Sequence, residues 1–465
     1  MSIKDTIPGY NTLVIPYHVV GTELSGLKYR HPAKRLRVIG VTGTNGKTTT
    51  CFMIWKMLNE SGKKAGLITT VAWGGAYGKV PAEMQYEEEG VPDRDVLKVR
   101  RGRNESSDEV MRSAETLHKQ VEHMTTPKVS TLNKRIKAIK KSGAEFLVLE
   151  VTSHALAQYR TLGIPIEIAV MTNVTHEHLD YHKTFEKYLK AKLKLFKHAD
   201  YGIINLDDPS WQEFKYAITR EGNSKKYSTY GIKNEGDIQA VKIKLDPSGV
   251  HYKARSEGHN TLDIKTKIPG EFNVYNSLAA VAVGRRLGLT DEQIEKGIYA
   301  LDEVEGRMNR INEGQDFEVI VDFAHTPDAF EKVFESVKDH NGRTISLFGG
   351  AGRRDESTRA MRGEIAGKYS DLVILTEDDS RDEDPLEIIN QFKDGCKKAG
   401  LKEDQILIEP DREKAIKLAL ETAKKGDLVL ILGKGHEKTI LRADGPHAFE
   451  DLEVTKRLLK ASNKN

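Results

Sequence analysis

The chain has 465 residues, 30% of them charged and 38% hydrophobic, with 72 Lys and Arg against 69 Asp and Glu. That length exceeds one ordinary domain, and a formal net charge of +3 leaves no excess of cations to argue for a nucleic-acid partner. Two cysteines far apart in sequence, Cys51 and Cys396, argue against a disulfide framework, and no apolar run is long enough to cross a bilayer.

Residues 1–36 are too short for a domain and read as an N-terminal arm or cap, and MSIKDTIPGYNTLVIPYHVV holds no signal-peptide core. The expectation is a cytoplasmic protein. RVIGV then reads as a buried strand, and TTTCFMIWKML has the apolar spacing of a helix. Between them a turn carries Gly43, Thr44, Asn45, Gly46, Lys47, Thr48 and Thr49. Backbone N–H groups there converge on an anion at a helix N-terminus. Strict phosphate-loop spacing requires glycine at position 41, where Val41 stands. Gly-Lys-Thr at a strand-to-helix turn still marks a nucleotide site, with Lys47 reaching the outer phosphates and the Thr48 hydroxyl facing Mg²⁺.

Strand candidates AGLITTV, EFLVLEV, IEIAVMTNV and YGIINL follow, separated by helical stretches such as STLNKRIKAIKKSG. That alternation predicts an α/β fold, a P-loop domain built on a mostly parallel sheet. The stretch from Gly74 to His123 is highly charged and poor in large apolar residues. It reads as a solvated surface insertion, or as a flap over substrate. Short alternating segments from DIQAVKIKL to LDIKTKI suggest an antiparallel patch before the helix NVYNSLAAVAVGRRLG. A boundary near residue 302 separates a central domain, 37–302, from a smaller Rossmann-like α/β domain, 303–465, with strands EVIVDF, TISLF, LVILTE and DLVLILG.

Glu150 closes the run EFLVLE, where the carboxyl end of a parallel strand meets ligand and a carboxylate can hold Mg²⁺. TNVTHEHLDYH supplies His176, His178 and His182 just past another strand, without the spacing of a common zinc site. YLKAKLKLF carries Lys190, Lys192 and Lys194; lysine beside Mg²⁺ makes sense once CO₂ converts it to an anionic carbamate. VDFAHTPDAF, GGAGRRDESTR, TEDDSRDEDP and GKGHEKTI each follow a strand in the second half, and the paired arginines of GGAGRRD suit carboxylates.

Taken in order, GVTGTNGKTTT, HMTTP, EVTSHALAQYR, TNVTHEHLDYH, YLKAKLKLF, EFNVYNSLAA, EGRMNRI, VDFAHTPDA, FGGAGRRD and GKGHE resemble the motifs of the Mur ligase family. The resemblance is closest to members that add the third residue of the peptidoglycan stem peptide. It implies an ATP- and Mg²⁺-dependent amide ligase that phosphorylates a muramyl-dipeptide carboxylate and lets an amino acid displace the phosphate. By position, Lys47 contacts phosphates, Thr48, Glu150 and His178 gather Mg²⁺, and Lys192 is the carbamylated lysine. Asn276 and Arg307 resemble nucleotide contacts and Asp322 a ribose contact. Thr125, Thr126, Ser153, Gln158 and Arg160 align with contacts to the muramyl peptide. Arg354, Asp378, Asp379, Ser380, Arg381, Gly433 and Glu437 fall on the amino-acid side.

The family carries a uridine-binding domain before its ATP loop, and about forty residues stand there here, so UDP recognition is expected to be weak. Arg381 suits the distal carboxylate of meso-diaminopimelate, while Asp379 stands where the family usually has Asn and could neutralise it. The expected partners are small molecules acting on a monomer. Competing readings are a polyglutamylating or cyanophycin-type ligase and a non-catalytic nucleotide-binding paralogue.

Overall fold

The computed structural model describes residues 15–76, 118–119, 125–219 and 226–462. Most of the charged stretch between Gly74 and His123, read above as an insertion or flap, lies outside these residues. Two sheets organise the chain. The first contains β1 (Arg37–Thr42), β2 (Ala65–Ile68), β3 (Ala72–Gly74), β4 (His118–Lys119), β5 (Phe146–Glu150) and β6 (Ile166–Met171). It continues with β7 (Ala199–Asn205), β8 (Tyr227–Gly231), β9 (Ile238–Asp246), β10 (Gly249–Ser256) and β11 (Leu262–Thr266). Their order is β11-β10-β9-β8-β7-β6-β1-β5-β2-β3-β4.

The middle of this sheet, from β2 through β9, is parallel. Its strands read as continuous apolar runs because both faces are covered: Ile39, Val41 and Val148 pack into one core, Val38, Leu147 and Leu149 into the other. β9, β10 and β11 pair antiparallel, as the alternating pattern suggested. AGLITTV is not one strand, a correction with a local cause. Thr69 Oγ1 donates to the Ala72 carbonyl at 2.9 Å, turning the chain and starting the antiparallel β3.

From β1 the chain runs to one side for β2 and β5, then crosses to the other side of β1 for β6. The carboxyl ends of β1, β5 and β6 therefore frame a crevice at a topological switch. The helix Ile15–Lys28 docks beside the same unit. Asn133 Nδ2 donates to Ser25 Oγ at 3.0 Å, and Thr22 Oγ1 to the Tyr159 carbonyl at 3.2 Å.

The second sheet holds β12 (Asn309–Arg310), β13 (Glu318–Asp322), β14 (Thr344–Phe348), β15 (Leu372–Leu375), β16 (Ile406–Ile408) and β17 (Leu428–Leu432). Its order is β12-β13-β17-β14-β15-β16, parallel except for β12 against β13, with an apolar core on each face. A hairpin of β18 (Thr439–Arg442) and β19 (Gly445–Ala448) follows.

Candidate active site

Val41 is fully buried in β1, in register with Glu150 of β5. The strand runs on through Thr42, so the turn and its glycine requirement fall two positions later than in the strict pattern. A Cβ on Gly43 would lie 1.8 Å from Thr172 Oγ1. Gly46 starts the helix Lys47–Glu60 at φ 81°, and a Cβ there would lie 2.3 Å from Asn276 Oδ1. The loop is pinned from β6's side: Thr44 N donates to the Asn173 carbonyl at 2.7 Å and Asn45 N to Asn173 Oδ1 at 2.9 Å. Thr44 Oγ1 lies 2.9 Å from the Tyr188 hydroxyl. The Lys47 ammonium donates to the Thr44 carbonyl at 2.6 Å, folded over its own loop. Thr49 is buried in the helix's first turn, while Thr50 Oγ1 donates to Asn276 Oδ1 at 3.2 Å.

Glu150 is 1% exposed, and one of its oxygens, Oε2, accepts both Thr48 Oγ1 and Thr70 N at 3.0 Å. The turn that ends β2 thus aims an amide at the carboxylate. His178 sits at φ 56°, a left-handed conformation uncommon for a side-chain-bearing residue. Burial holds its ring below the ordinary histidine range, leaving a neutral imidazole with a lone pair to give. The helix Phe185–Lys197 sorts the three lysines. Lys190 pairs with Glu186 in solvent and Lys194 lies over the Tyr159 ring at 3.9 Å. Lys192 is 1% exposed and donates to the Gly43 carbonyl at 2.5 Å. Burial, then repulsion from Lys47, pushes its pKa well below that of an ordinary lysine. His176 stacks on Phe185, and His182 Nε2 lies 3.0 Å from Ser153 Oγ.

Beside Glu150, Thr126 Oγ1 donates to the Glu150 carbonyl at 3.0 Å, and Thr125 Oγ1 accepts from Thr70 Oγ1 at 2.9 Å. Arg160 NH1 donates to the Thr126 carbonyl and NH2 to Gln158 Oε1, both at 2.6 Å, while Gln158 Nε2 donates to Tyr181. These side chains form one polar wall on the first unit.

The second unit supplies the facing wall. Asp322 ends β13 and accepts Met308 N at 2.8 Å and Ala324 N at 2.7 Å; burial raises its pKa. Arg307 is held over the Phe323 ring at 4.3 Å and reaches Thr48 Oγ1 at 3.4 Å. Lys434, fully buried, donates to Asp378 at 3.2 Å, Asp379 at 2.9 Å and Glu437 at 2.9 Å. Burial pushes Asp378 up, but Lys434 and Arg412 outweigh it and hold that carboxyl below its usual range. Asp379, by burial and the charge of Asp378, is held above its own. Arg381 does not pair with Asp379; its NH1 donates to the Gly352 carbonyl at 3.0 Å. Lys434 takes the role the sequence reading allowed Arg381.

A cleft of about 1250 Å³ runs between the units, lined by Lys47, Thr48, Glu150, His178, Asn276 and Asp322 together with Arg354, Asp378, Asp379, Arg381, Gly433 and Glu437. Thr44, Asn45, Gly46, Thr49, Thr125, Thr126, Gln158, Arg160 and Arg307 line it too. Gly43, Ser153, Lys192 and Ser380 stand behind that lining. Sequence reasoning missed Glu177, whose Oε1 lies 3.4 Å from His178 Nε2 and 3.5 Å from His325 Nε2 across the cleft. It also missed Asn173, Tyr188 and Lys434, although each lies within or beside a quoted motif.

Facing α/β units, one bearing a phosphate loop, define a nucleotide-using enzyme. Residues 41–284 match the family model of the Mur ligase middle domain, and residues 306–435 that of the Mur ligase, glutamate ligase domain. The chain belongs to the Mur ligase family, and is an ATP-dependent amide-forming ligase of that kind. It is 36% identical over 439 residues to the UDP-N-acetylmuramoyl-L-alanyl-D-glutamate–2,6-diaminopimelate ligase of Caldanaerobacter subterraneus subsp. tengcongensis, a match covering 94% of this chain and 80% of that protein. A ligase of the same name from Clostridium acetobutylicum is 36% identical over 436 residues, covering 93% and 80%. A solved structure of a UDP-N-acetylmuramoyl-L-alanyl-D-glutamate–2,6-diaminopimelate ligase is similar at a TM-score of 0.60 and 27% identity, over 95% of this chain and 83% of that one.

Proposed function

We propose that the chain joins meso-diaminopimelate to the terminal carboxylate of a muramyl-dipeptide-type acceptor, using ATP, in cytoplasmic peptidoglycan precursor synthesis. The observation that carries this reading is the single cleft. A phosphate loop and the Thr48–Glu150 pair, 3.0 Å apart, stand opposite Asp378, Asp379, Glu437, Arg354 and Arg381. The similar ligases named for diaminopimelate support the choice of amino acid.

Lys47 and the loop amides hold the outer phosphates. A carboxylate oxygen of the acceptor, placed by Thr125, Thr126, Gln158 and Arg160, attacks the γ-phosphorus and ADP departs. The amine of the incoming amino acid then attacks the acyl carbon, phosphate leaves, and the amine gives up a proton. Mg²⁺ supplies charge neutralisation at the transferring phosphoryl group. Thr48, Glu150 and His178 would hold it, two oxygens and a neutral ring nitrogen, a donor set that fits the ion. The Lys192 amine, whose charged form burial disfavours, is suited in its free-base form to add CO₂, releasing one proton and gaining an anionic oxygen pair. Asn276 and Arg307 are assigned to the nucleotide and Asp322 to its ribose.

Arg381 and Arg354 meet carboxylates of the amino acid, and Asp379 and Glu437 its distal ammonium. The proposed division is an arm at 1–36, a nucleotide domain at 37–302 and an amino-acid domain at 303–465. It is supported by a first sheet that ends at Thr266 and a second that starts at Asn309. Both walls come from one chain, which suits a monomer. The test is phosphate release across a panel of muramyl acceptors and amino acids. Release is expected to require ATP, acceptor and amino acid together, fastest with meso-diaminopimelate. Equal release with glutamate would redirect the reading to a polyglutamylating ligase.

A further inference from the structure

Arg362 lies on the helix Ser357–Tyr369, 5% exposed, and its side chain lines the cleft. Its Nε has no hydrogen-bond partner, and NH1 reaches the Gly349 carbonyl at only 3.4 Å. The guanidinium carbon sits 4.7 Å from the Phe392 ring centroid and 5.7 Å from that of Phe330. Among the described residues no carboxylate forms an ion pair with it. The other buried arginines nearby are treated differently. Arg359, three residues earlier, pairs with Glu383 at 2.8 Å, and Arg412 makes two bonds of 2.8 Å to Asp451. Burial pushes the Arg362 pKa down to about 10 despite the attraction of Asp378. A buried charge short of a counter-charge is costly to keep.

The charges around it leave room for an incoming anion. Asp378, Asp379 and Glu437 are all engaged by Lys434. Arg381 donates to a backbone carbonyl. A guanidinium fork seats a carboxylate through two parallel hydrogen bonds, a geometry no single backbone oxygen supplies. The charge of Arg354 reaches His154 of the first unit as well as Arg381, whereas the charges acting on Arg362 belong to Asp378, Arg359 and Asp355, all of the second. The reacting amine must meet the acyl phosphate beside Thr48 and Glu150. The end of the amino acid that reaches Arg362 is therefore the far end.

We propose that Arg362 is a specificity-determining residue that binds, alongside Arg381, the distal carboxylate of a dicarboxylic diamino acid. The inference rests on reading this cleft as the amino-acid site of the ligase. It is tested by steady-state kinetics of wild type, Arg362→Met and Arg362→Lys, with meso-diaminopimelate and L-lysine as alternative amines. Arg362→Met raises the KM for diaminopimelate by about tenfold or more, leaves kcat within about threefold, and leaves the KM values for L-lysine and ATP within about twofold. Arg362→Lys, which keeps the charge and loses the fork, falls between and remains the readout if the methionine variant fails to fold. The Tm of Arg362→Met does not fall, because the removed charge had no carboxylate partner and the methionine keeps the contact with the Phe392 and Phe330 rings. An unchanged KM for diaminopimelate in both variants, or an equal loss for L-lysine, overturns the inference and makes Arg362 core packing. A wild-type enzyme that ligates neither amino acid overturns the reading of the cleft itself.

Discussion

Lys192 shows how burial can set chemistry at a single residue. Its amine donates to Gly43 O and is surrounded by enough protein that the charged form is disfavoured. In its free-base form this amine is nucleophilic toward CO₂, whereas its exposed neighbour Lys190 is occupied by Glu186. Lys192→Ala is expected to lower turnover by about a thousandfold or more, given the electrostatic weight of phosphoryl transfer, with partial rescue by short-chain carboxylates. Turnover like that of wild type in this variant would falsify the carbamate. His182 makes a different prediction. Burial first, and next any charge taken up by neighbouring His178 or Lys192, depress its pKa from 6.5 to about 4. The folded state therefore resists a proton that the unfolded chain accepts below pH 6.5. The stabilisation is complete above that pH and is lost as pH falls toward 4. On the order of 2 kcal/mol should disappear between pH 7 and pH 5. Denaturant titrations of wild type and His182→Asn check this, and an equal pH slope in both would assign the acid lability elsewhere.

Among the elements, the strand-loop-helix of β1 and Lys47–Glu60 was the most legible, because an apolar run, two glycines and Gly-Lys-Thr leave few alternatives. What sequence could not supply was the reason for the displaced glycine. Val41 is held in β1 by pairing across to β5, a contact more than a hundred residues away in the chain. The same limit hid Thr70, whose amide matters only because AGLITTV breaks at Thr69. The antiparallel β9–β11 patch was readable from its alternation, but β3, β4 and β12 are too short to carry a period. Within the cleft, residue types were legible and partnerships were not. Asp379 and Arg381 stand two apart in sequence, yet Asp379 bonds Lys434, fifty-five positions on. Gly46→Ala tests the loop as an element. With φ at 81° and Asn276 Oδ1 2.3 Å from the new Cβ, the variant should lose about 1–3 kcal/mol of stability and raise the KM for ATP at least about tenfold. A KM for ATP within twofold of wild type would show that the loop relaxes freely.

At the scale of the whole molecule, the proposed reaction calls for both sheets to present their carboxyl ends to one space. Direct bonds cross between them: Asn45 Nδ2 donates to Asp328 Oδ2 at 2.6 Å, and His325 lies 3.5 Å from Glu177. Asp328 heads the first turn of the helix Pro327–Val337 and also accepts Lys332 at 2.7 Å. Asp328→Ala should leave Tm nearly unchanged, since a part-exposed pair contributes about 0–1 kcal/mol, yet lower kcat by about tenfold through misplacement of the two walls. An unaltered kcat would mean that other contacts set their approach. No helix among the described residues is long and apolar enough to cross a membrane. The most direct test of the ligase chemistry uses a muramyl-dipeptide acceptor labelled with ¹⁸O in its terminal carboxylate, incubated with ATP, Mg²⁺ and meso-diaminopimelate. The expected result is one ¹⁸O in the released phosphate for each amide formed, because the carboxylate oxygen leaves on phosphorus. Amide formation with unlabelled phosphate, or ATP hydrolysis without amide, would contradict the acyl-phosphate route.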